Sequence, residues 1–565
     1  MIQVFAKDRI IAAPGFNRWR VPPASVAIHL CIGSVYAWSF FNPPLMKLHG
    51  VVASAADDWT LAEVTWIFTV AIVFLGLSAA VAGTWLERVG PRLVGSVAAC
   101  CWGGGFLIGG AGILTHQLWL LYLGYGVIGG VGLGLGYVSP VSTLIKWFPD
   151  RRGMATGLAI MGFGGGAIIG APLKESLMRA FYEPPTFLGS VEQVPLKTES
   201  GRRFATVAGQ AREVVVVGKN EVSQMLVPGN EGVYVVGTGR TGVAETFFTL
   251  GVGYFVVMLL ASFSYRLPAP DWLPAGWTPP VEGQGTRMIT AHQVAIDEAL
   301  KTPQFYLLWI VLCFNVTAGI GVLGVAKTMM GEIFGTTLPL VATGAFAATY
   351  VLMMSVFNML GRFAWSTASD YLGRQRTYAI FFAFGTALYA SIPFIAERQS
   401  QQPSETWLIA FYAVTALIFT MYGGGFAAIP AYLSDLFGTK FVGGIHGRLL
   451  TAWSTAGVLG PVAITYLRER SLRAALTVLA SKIARSTFEQ TFGAPVSELP
   501  LLITQKTVTL PKLMALAPQG TVDPSSTLYS STMLTMAGLL VIAFIANWQV
   551  RPVDAKHHWS EADRS

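Results

Sequence analysis

The chain has 565 residues, of which 53% are hydrophobic and only 12% are charged. That charged fraction is about half of the roughly 25% usual for soluble domains, so the chain cannot cover several water-facing surfaces. The composition disfavours a cytosolic enzyme, a nucleic-acid-binding protein and a disordered scaffold. The formal charge of +8 bears first on orientation in a membrane.

Twelve apolar stretches are long enough to cross a hydrocarbon core about 30 Å thick, which requires about 20 helical residues. We predict an all-α membrane protein with twelve transmembrane helices, numbered as spans 1 to 12. The spans are 24–46, 64–86, 93–114, 118–145, 153–178, 243–265, 305–326, 341–368, 377–396, 406–432, 444–467 and 529–550. The first 22 residues hold no apolar core of about 7 to 15 residues, so we expect no cleavable signal peptide.

Lysine and arginine in the short loops predict the orientation, because basic loops stay on the cytoplasmic side. Basic residues gather on the side of both termini; they are Lys7, Arg9, Arg18, Arg20, Arg88, Arg92, Lys146, Arg151, Arg152, Arg266, Arg287, Lys301, Arg374, Arg376, Lys440, Arg551, Lys556 and Arg564. The short loops opposite hold Lys47, Lys327 and Arg398. We therefore expect a multi-pass protein of the inner cell membrane with both termini in the cytoplasm.

The sequence repeats itself once, as the pair Pro140 and Pro430 illustrates at an offset of 290 residues. We predict two pseudo-symmetric six-helix bundles, an N-terminal one at 1–266 and a C-terminal one at 304–565. A polar cytoplasmic loop at 267–303 joins them. Parallel repeats of this kind are one architecture by which transporters alternate access to a site near the membrane midplane.

Two insertions interrupt this pattern, at 179–242 and 468–528, in the equivalent outer loop of each half. In the first, the valine-rich runs 214–217 and 233–236 are flanked by Gly and Asn, which predicts short strands. An amphipathic helix near 471–488 is expected to open the second. The interpretation we favour is a small folded cap over the outer mouth.

No motif for catalysis or phosphate binding is present: HExxH, GxSxG and the P-loop are all missing from the sequence. Gly132, Gly134 and Gly136 form a GxGxG pattern inside span 4, where small residues serve close helix packing. The four cysteines lie in apolar runs and form no CxxC metal site. We expect no enzyme, cofactor, metal or nucleic-acid partner, and a monomer that works in the lipid bilayer.

Arg362 is the sharpest functional candidate, because ionisable groups at membrane depth are costly. Span 8 is expected to end near Asp370, and eight residues at 1.5 Å each place Arg362 about 12 Å inside. Its planar guanidinium stays charged and suits a bidentate carboxylate. Asn358 lies one turn away, and no Asp or Glu falls well inside any predicted span. We therefore expect an anionic substrate to supply the counter-charge; the alternative is a structural arginine bonded to helix-end carbonyls.

Other side chains at the same predicted depth are candidates for lining a substrate site with Arg362 and Asn358. They are Tyr36, Trp38, Tyr137, Phe163, Tyr422, Phe426 and Trp453. His29, in span 1, is the candidate proton relay, with a hydrogen-bonded packing residue as the alternative. Arg448, near the start of span 11, is a candidate gate residue that can also snorkel to the interface.

Two related loops follow spans 2 and 8, with the sequences GTWLERVGPR at 83–92 and SDYLGRQR at 369–376. Glu87 and Asp370 are expected at helix ends, where a carboxylate pairs with loop arginines and a neighbouring helix N-terminus. The loop arginines are Arg88, Arg92, Arg374 and Arg376. We predict that this set controls the conformational equilibrium and not the choice of substrate.

The two loops resemble the signature loops of the major facilitator superfamily, with Glu87 in place of the usual Asp. Further segments resemble the oxalate/formate antiporter family, which is related to the monocarboxylate transporters. These segments are NRW at 17–19, GSVYAWS at 33–39, WFPDRRG at 147–153, TPQF at 302–305 and GRFAW at 361–365. The resemblance covers all twelve spans and excludes the insertions. It implies a twelve-helix bundle that exchanges small carboxylates, with Arg362 binding a carboxylate group.

The resemblance also bears on the substrate. The oxalate exchangers of this family use a lysine in the eleventh helix, and the matching position here is Trp453. An oxalate dianion on one buried arginine would keep an uncompensated charge. We therefore favour a secondary active transporter of small monocarboxylates that works by anion antiport or proton symport. An oxalate/formate exchanger and a transporter-like sensor that uses the outer insertions stay open. Monocarboxylate transporters carry an Asp one turn before the arginine, where this chain has Asn358.

Overall fold

The computed structural model describes residues 3–199, 202–217, 227, 229–278, 288–335, 337–342, 344–492, 495–504, 508 and 510–559. Residues 279–287 of the predicted central loop, which include Arg287, lie outside these ranges, as does Arg564. Within them, eleven helices are long and apolar enough to cross a membrane. A further helix of 29 residues, Gly344–Leu372, lies at the position of predicted span 8. The chain is therefore a multi-pass membrane protein of the predicted all-α class.

The long helices are numbered α1 to α12 in chain order. They are α1 Pro22–Gly33, α2 Leu61–Val89, α3 Pro91–Leu114, α4 Gly130–Trp147, α5 Arg152–Ala180, α6 Val243–Phe263, α7 Pro303–Phe334, α8 Gly344–Leu372, α9 Arg374–Gln401, α10 Glu405–Phe437, α11 in two parts, Val442–Leu449 and Thr451–Ser481, and α12 Ser530–Gln549. Shorter helices are Asn42–Leu45, Leu118–Leu121, Ile296–Ala299, Arg485–Phe492, Leu499–Thr504 and Leu510–Leu516.

Two helices depart from the predicted spans. Span 1 is not continuous, because α1 gives way to a 3-10 helix at Ser34–Phe40, in which Ala37 has non-helical dihedral angles. The helix expected near 471–488 does not begin there, because α11 continues to Ser481 and a short helix, Arg485–Phe492, follows. An ion pair one turn apart, Arg473 Nε to Glu469 Oε1 at 2.9 Å, supports this extension. Hydropathy marks where apolar side chains stop, and a helix can continue past that point.

The glycines of the two related loops explain how the helices reverse. Gly90 and Gly373 both have a φ of 86°, a region that side chains with a Cβ rarely adopt. Gly90 ends α2, and Pro91 begins α3 at the position where proline is best tolerated in a helix. Gly373 separates α8 from α9 in the same way. The repeat in the sequence is thus a repeat in backbone conformation.

The first insertion folds into a five-stranded antiparallel sheet. Its strands are β1 Phe187–Gly189, β2 Leu196–Glu199, β3 Arg202–Val207, β4 Gln210–Val217 and β5 Gly232–Val235, in the order β1-β5-β4-β3-β2. The two predicted strands coincide with the end of β4 and with β5 and are confirmed. Val215, Val217 and Tyr234 pack against Val52, in the connection between α1 and α2.

An ion pair adds to the attachment of this sheet. The guanidinium of Arg202 in β3 bonds both carboxylate oxygens of Asp57, at 2.7 and 2.9 Å. These hydrogen bonds lower the pKa of the Asp57 carboxyl. The insertion is therefore a folded body docked on the loop that precedes α2.

By packing, the chain divides into two compact units. The first unit is Met1–Phe305, Ala427–Ser454 and Pro552–Ser565, and the second is Tyr306–Phe426 and Thr455–Arg551. These units cut across the two sequence halves, because Ala427–Ser454 packs with the first. The predicted bundles at 1–266 and 304–565 stay a prediction from the repeat.

Glycines bring helix backbones into direct contact in the first unit. A Cβ on Gly33 of α1 would lie 2.2 Å from the carbonyl oxygen of Phe163 in α5. A Cβ on Gly132 would lie 2.5 Å from the Trp102 nitrogen, and one on Gly134 would lie 2.3 Å from the Leu75 oxygen. The GxGxG pattern of α4 therefore serves helix packing, as small residues do in membrane bundles.

Gly33→Ala should lower the thermal stability of the purified protein, because the new methyl group would overlap the Phe163 backbone. Overpacking of this kind costs about 1 to 3 kcal/mol. Gly104→Ala in α3 is the matched control, since nothing lies within 4 Å of its added Cβ. Thermal unfolding in detergent measures both variants, and equal stability of the two would contradict the proposed contact.

Candidate functional site

An aromatic cluster lies inside the first unit and joins four of its helices. Its members are His29, Tyr36, Tyr137, Phe163 and Trp453. The Trp453 ring centroid lies 5.3 Å from those of both Tyr137 and Phe163, which are 5.5 Å apart. Tyr36 lies 5.0 Å from Phe163. His29 lies 5.2 Å from Tyr137. All members except the half-buried Tyr36 are fully buried. The structure thus brings together five of the side chains predicted from the sequence.

Trp38 does not join this cluster. Its ring packs 4.5 Å from Tyr125 and 5.6 Å from Phe41, in a separate group of aromatic side chains. Tyr36 and Trp38 are two residues apart in the 3-10 helix that follows α1, and side chains two residues apart point in different directions in a helix. Trp38 is a packing residue in this structure.

A second buried histidine, which the sequence did not indicate, lies beside Tyr137 of the aromatic cluster. His446, in the first part of α11, is 1% exposed and lies 5.9 Å from the Tyr137 ring. It lies only two residues inside predicted span 11, so its depth was hard to judge. The adjacent Gly447 is the sequence feature that could have indicated the burial of His446. A Cβ added to Gly447 would overlap the carbonyl oxygen of Ala79 in α2. Such close contact with α2 buries the neighbouring side chains.

Arg362 lies in the second unit and is 0% exposed. It is ten residues before the end of α8, which corresponds to about 15 Å along the helix. Its Nε donates to the amide oxygen of Asn358 at 3.0 Å, and its guanidinium carbon lies 5.2 Å from the centre of the Phe426 ring. The predicted proximity of Asn358 and Phe426 to this arginine is therefore present in the structure.

Three consecutive glycines of α10 shape this part of the second unit. The backbone and side chain of Asn358 lie against Gly423, and the Trp365 ring lies against Gly424. Gly361 of α8 in turn faces the backbone of Thr420. Because α8 and α10 touch along their backbones, the Arg362 side chain is held in a dry environment. The Gly423 to Gly425 run was the sequence feature that could have predicted this contact.

Tyr422 occupies a different face of α10. Its ring lies against Gly319 of α7 and, with Asn315 and Tyr389, lines a small cavity of about 20 Å³. A cavity of this size has room for about one water molecule. Tyr422 thus points toward α7, whereas Phe426 points toward Arg362.

The carboxylates of the two related loops both have cationic partners. Glu87 accepts from Lys146 Nζ at 2.7 Å and from Ser142 Oγ at 3.3 Å. Asp370 accepts from Arg374 at 2.6 Å, and Arg374 also bonds the Ser369 hydroxyl. The partner of Glu87 is therefore a lysine of α4 and not one of the loop arginines. The effect of these groups on the conformational equilibrium stays a prediction.

The remaining candidate gate residues differ in their surroundings. Arg92 is 7% exposed and donates to the carbonyls of Val4 and Phe263, so it ties the N-terminal segment to α6. Arg88 and Arg376 are exposed. Arg448 donates to Thr84 of α2 at 3.1 Å, which joins α2 and α11 beside the contact of Gly83 with Gly443 and Gly444.

A buried ion pair that the sequence did not predict joins α5 to α10. Arg152 donates to Asp435 at 3.1 Å and to the carbonyl of Ser434 at 3.0 Å. Their side chains are 9% and 7% exposed. Arg152 had been counted only as a basic loop residue, because the burial of a loop residue depends on what packs over it.

A second unpredicted cation lies on α5. Lys174 is 0% exposed, and its Nζ donates to the carbonyl oxygen of Ser34 at 2.8 Å. It is eleven residues beyond Phe163 on the same helix, about 16 Å away along the axis. Lys174 is therefore outside the aromatic cluster.

Comparison with known proteins shows which fold and which sequences this chain resembles. The pattern of the Major Facilitator Superfamily matches residues 25–189. A bacterial homologue of the lysosomal transporter Spinster, in an inward-facing conformation, covers 97% of this chain and 100% of its own, with a TM-score of 0.51 and 16% identity. FucP in the outward conformation covers 94% and 98%, with a TM-score of 0.51 and 12% identity. The fold is therefore the twelve-helix fold of this superfamily.

Three proteins that are similar in sequence are named for small organic acids. The oxalate:formate antiporter of Oxalobacter formigenes is 25% identical over 451 residues, which cover 79% of this chain and 83% of the antiporter. Apicoplast pyruvate carrier 1 of Toxoplasma gondii is 24% identical over 505 residues, covering 79% and 82%. Monocarboxylate transporter 13 of Rattus norvegicus is 30% identical over 130 residues, covering 22% and 29%.

The chain therefore has the fold of major facilitator transporters, and the relatives to which it is similar are themselves named as an antiporter, a carrier and a transporter. The predicted resemblance to the oxalate/formate antiporters and to their monocarboxylate-transporting relatives is confirmed.

Asp435→Asn should lower the stability of the protein, because it leaves the buried guanidinium of Arg152 without its carboxylate. Breaking a buried pair on one side costs about 3 to 5 kcal/mol. Unfolding of the purified protein by denaturant or heat measures the effect, and Arg152→Met with Asp435→Asn should recover part of it. Glu175→Gln is the control, since its pair with Arg179 is 40 to 52% exposed and worth about 0 to 1 kcal/mol. Equal effects of the two single variants would contradict the assignment.

Proposed function

We propose that this protein is a secondary active transporter of small monocarboxylate anions that works by alternating access. The observation that carries the proposal is Arg362, a guanidinium with 0% exposure in the interior of α8. The relatives are named for oxalate and formate, for pyruvate and for monocarboxylates. All of these substrates are small organic acids.

The chemistry of Arg362 supports a carboxylate ligand. An arginine cannot lose its proton to escape the cost of burial, and its planar donors match the two oxygens of a carboxylate. Its Nε bonds the neutral amide of Asn358, and the face of the Phe426 ring lies near its carbon. The terminal NH₂ groups are the part of the fork that would meet a substrate. Arg362 would bind, and Asn358 would hold the arginine in orientation.

Charge counting favours one carboxylate over two. The position where the family's oxalate exchangers carry a lysine is Trp453, whose fully buried ring packs between Tyr137 and Phe163. Lys174 is buried but bonds Ser34 away from the aromatic cluster. A dianion on Arg362 alone would bring an excess negative charge into a dry site. Monocarboxylates such as formate, lactate and pyruvate carry one negative charge, which matches the single positive charge of Arg362.

Orientation and gating complete the proposal. We place both termini and the basic loops on the cytoplasmic side of the inner membrane, because lysine and arginine concentrate in these loops. Glu87 with Lys146, Asp370 with Arg374, and Arg448 with Thr84 would hold the inner ends of their helices together. Opening on the cytoplasmic side requires such contacts to break. His29, in the aromatic cluster, stays a candidate for relaying a proton, with a packing role as the alternative.

The test is uptake into proteoliposomes of labelled formate, lactate, pyruvate and oxalate, with and without internal anion and with and without a pH gradient. We expect uptake of the monocarboxylates in preference to oxalate. Arg362→Ala should abolish it. Arg362→Lys should reduce it about tenfold or more, because a charged hydrogen bond is worth about 1.5 to 3 kcal/mol and 1.4 kcal/mol is a factor of ten.

Arg398→Ala is the matched control, since this arginine is an exposed residue at the outer end of α9 and should leave uptake unchanged. A fully active Arg362→Lys variant would refute bidentate binding. Preferential oxalate uptake would replace the proposal with an oxalate exchanger. If no acid is taken up, the carboxylate proposal fails and a sensor function gains support.

A further inference from the structure

Lys174 is a buried amine in a membrane helix, with no role in the site already described. It lies in α5, is 0% exposed and is surrounded by α1 and the 3-10 helix that follows it. Gly170 lies one turn earlier, and a Cβ added to it would lie 3.1 Å from the Cβ of Ser34. The two segments therefore pack closely at this point. Ionisable groups at such positions are costly and mark functional sites.

The surroundings of Lys174 hold its amine with neutral groups. Its Nζ donates to the Ser34 carbonyl oxygen at 2.8 Å and lies 4.5 Å from the centre of the Phe41 ring. Within the described part of the chain, no carboxylate lies within 4.0 Å of this nitrogen. The adjacent Glu175 pairs with Arg179, and Glu245 of α6 pairs with Arg240.

The other titratable groups on the helices packed against α5 are Cys31 and His29 of α1, Tyr36 of the 3-10 helix, Tyr137 and Lys146 of α4, and Tyr254 of α6; Lys146 pairs with Glu87. Tyr254 of α6 approaches the Ser34 side chain. His29 of α1 lies three turns of α5 away, beside Phe163. Among the described residues, the amine therefore contacts one carbonyl and one aromatic face and no carboxylate. A lysine in such a place can exist with or without its proton, whereas Arg362 keeps its charge.

The hydrogen bond from Lys174 to Ser34 connects α5 to the segment that carries Tyr36. Ser34 begins the 3-10 helix Ser34–Phe40, which carries Tyr36 of the aromatic cluster. The ammonium lies at the carboxyl end of α1, where a cation is favoured by the carbonyl dipoles. A neutral amine would hold this carbonyl more weakly. The protonation of Lys174 is thus linked to the position of a segment that reaches the cluster.

We propose that Lys174 is the group that takes up and releases the proton when this transporter moves a monocarboxylate. This inference rests on the proposed function and chooses proton symport from its two modes. A monocarboxylate and a proton together add no net charge to the interior, which lowers the cost of moving both across. The ammonium forms when the anion is loaded, and it returns its proton to water when the anion leaves.

The experiment compares two modes of transport in proteoliposomes that contain the wild type, Lys174→Arg or Lys174→Met. One mode is pyruvate accumulation driven by an inside-alkaline pH gradient. The other is exchange of labelled for unlabelled pyruvate at equal pH, which needs no net proton movement. Lys174→Arg keeps a positive charge and a donor for Ser34 but cannot release the proton. Arg179→Met, an exposed cation lost from the same helix, is the control.

We expect the wild type and the control to perform both modes. Both Lys174 variants should lose accumulation and keep exchange, a separation that a purely structural role would not produce. Accumulation at the wild-type level in Lys174→Arg would overturn the inference, as would the loss of both modes in both variants. A wild type that exchanges pyruvate but ignores the gradient would also overturn it and leave the proposed function standing. A wild type that transports no acid would instead remove the proposed function itself.

Discussion

The cost of placing a charge in a dry interior governs this molecule. Three cations, Arg152, Lys174 and Arg362, are almost or completely buried, and each is stabilised differently. Arg152 has the carboxylate of Asp435, so its charge is balanced within the protein. Lys174 and Arg362 bond a carbonyl and an amide, respectively. A built-in ion pair fixes structure, and a buried cation in a membrane helix is a functional candidate because its charge is costly.

Close helix packing excludes water from these cations, and this exclusion makes their charges costly. Glycine lets α1 approach α5 at Gly33 and lets α8 approach α10 at Gly361. In a bilayer, where apolar side chains gain little by leaving lipid, such backbone contacts provide much of the packing. The same contacts exclude water from Phe163 and from Arg362, both 0% exposed. Packing and chemistry therefore depend on the same small residues.

The sequence predicted the helical class, the number of long helices and the position of Arg362 inside a long helix, because each follows from hydropathy and from the rise of a helix. It also indicated Tyr36, Tyr137, Phe163 and Trp453 as lining residues and His29 as a relay, and the structure joins these five side chains in one cluster. Trp38 packs apart from this cluster, against Phe41 and Tyr125. Arg152 and Lys174 were missed because basic side chains near span ends normally reach water. Their burial depends on partners distant in the chain, which periodicity does not reveal.

The central claim is that Arg362 binds a single carboxylate. Calorimetric titration of pyruvate into the purified protein tests it without any assumption about coupling or direction of transport. The account predicts saturable binding by the wild type and by Arg398→Met, and none by Arg362→Met. Equal pyruvate affinity of the wild type and Arg362→Met would contradict it.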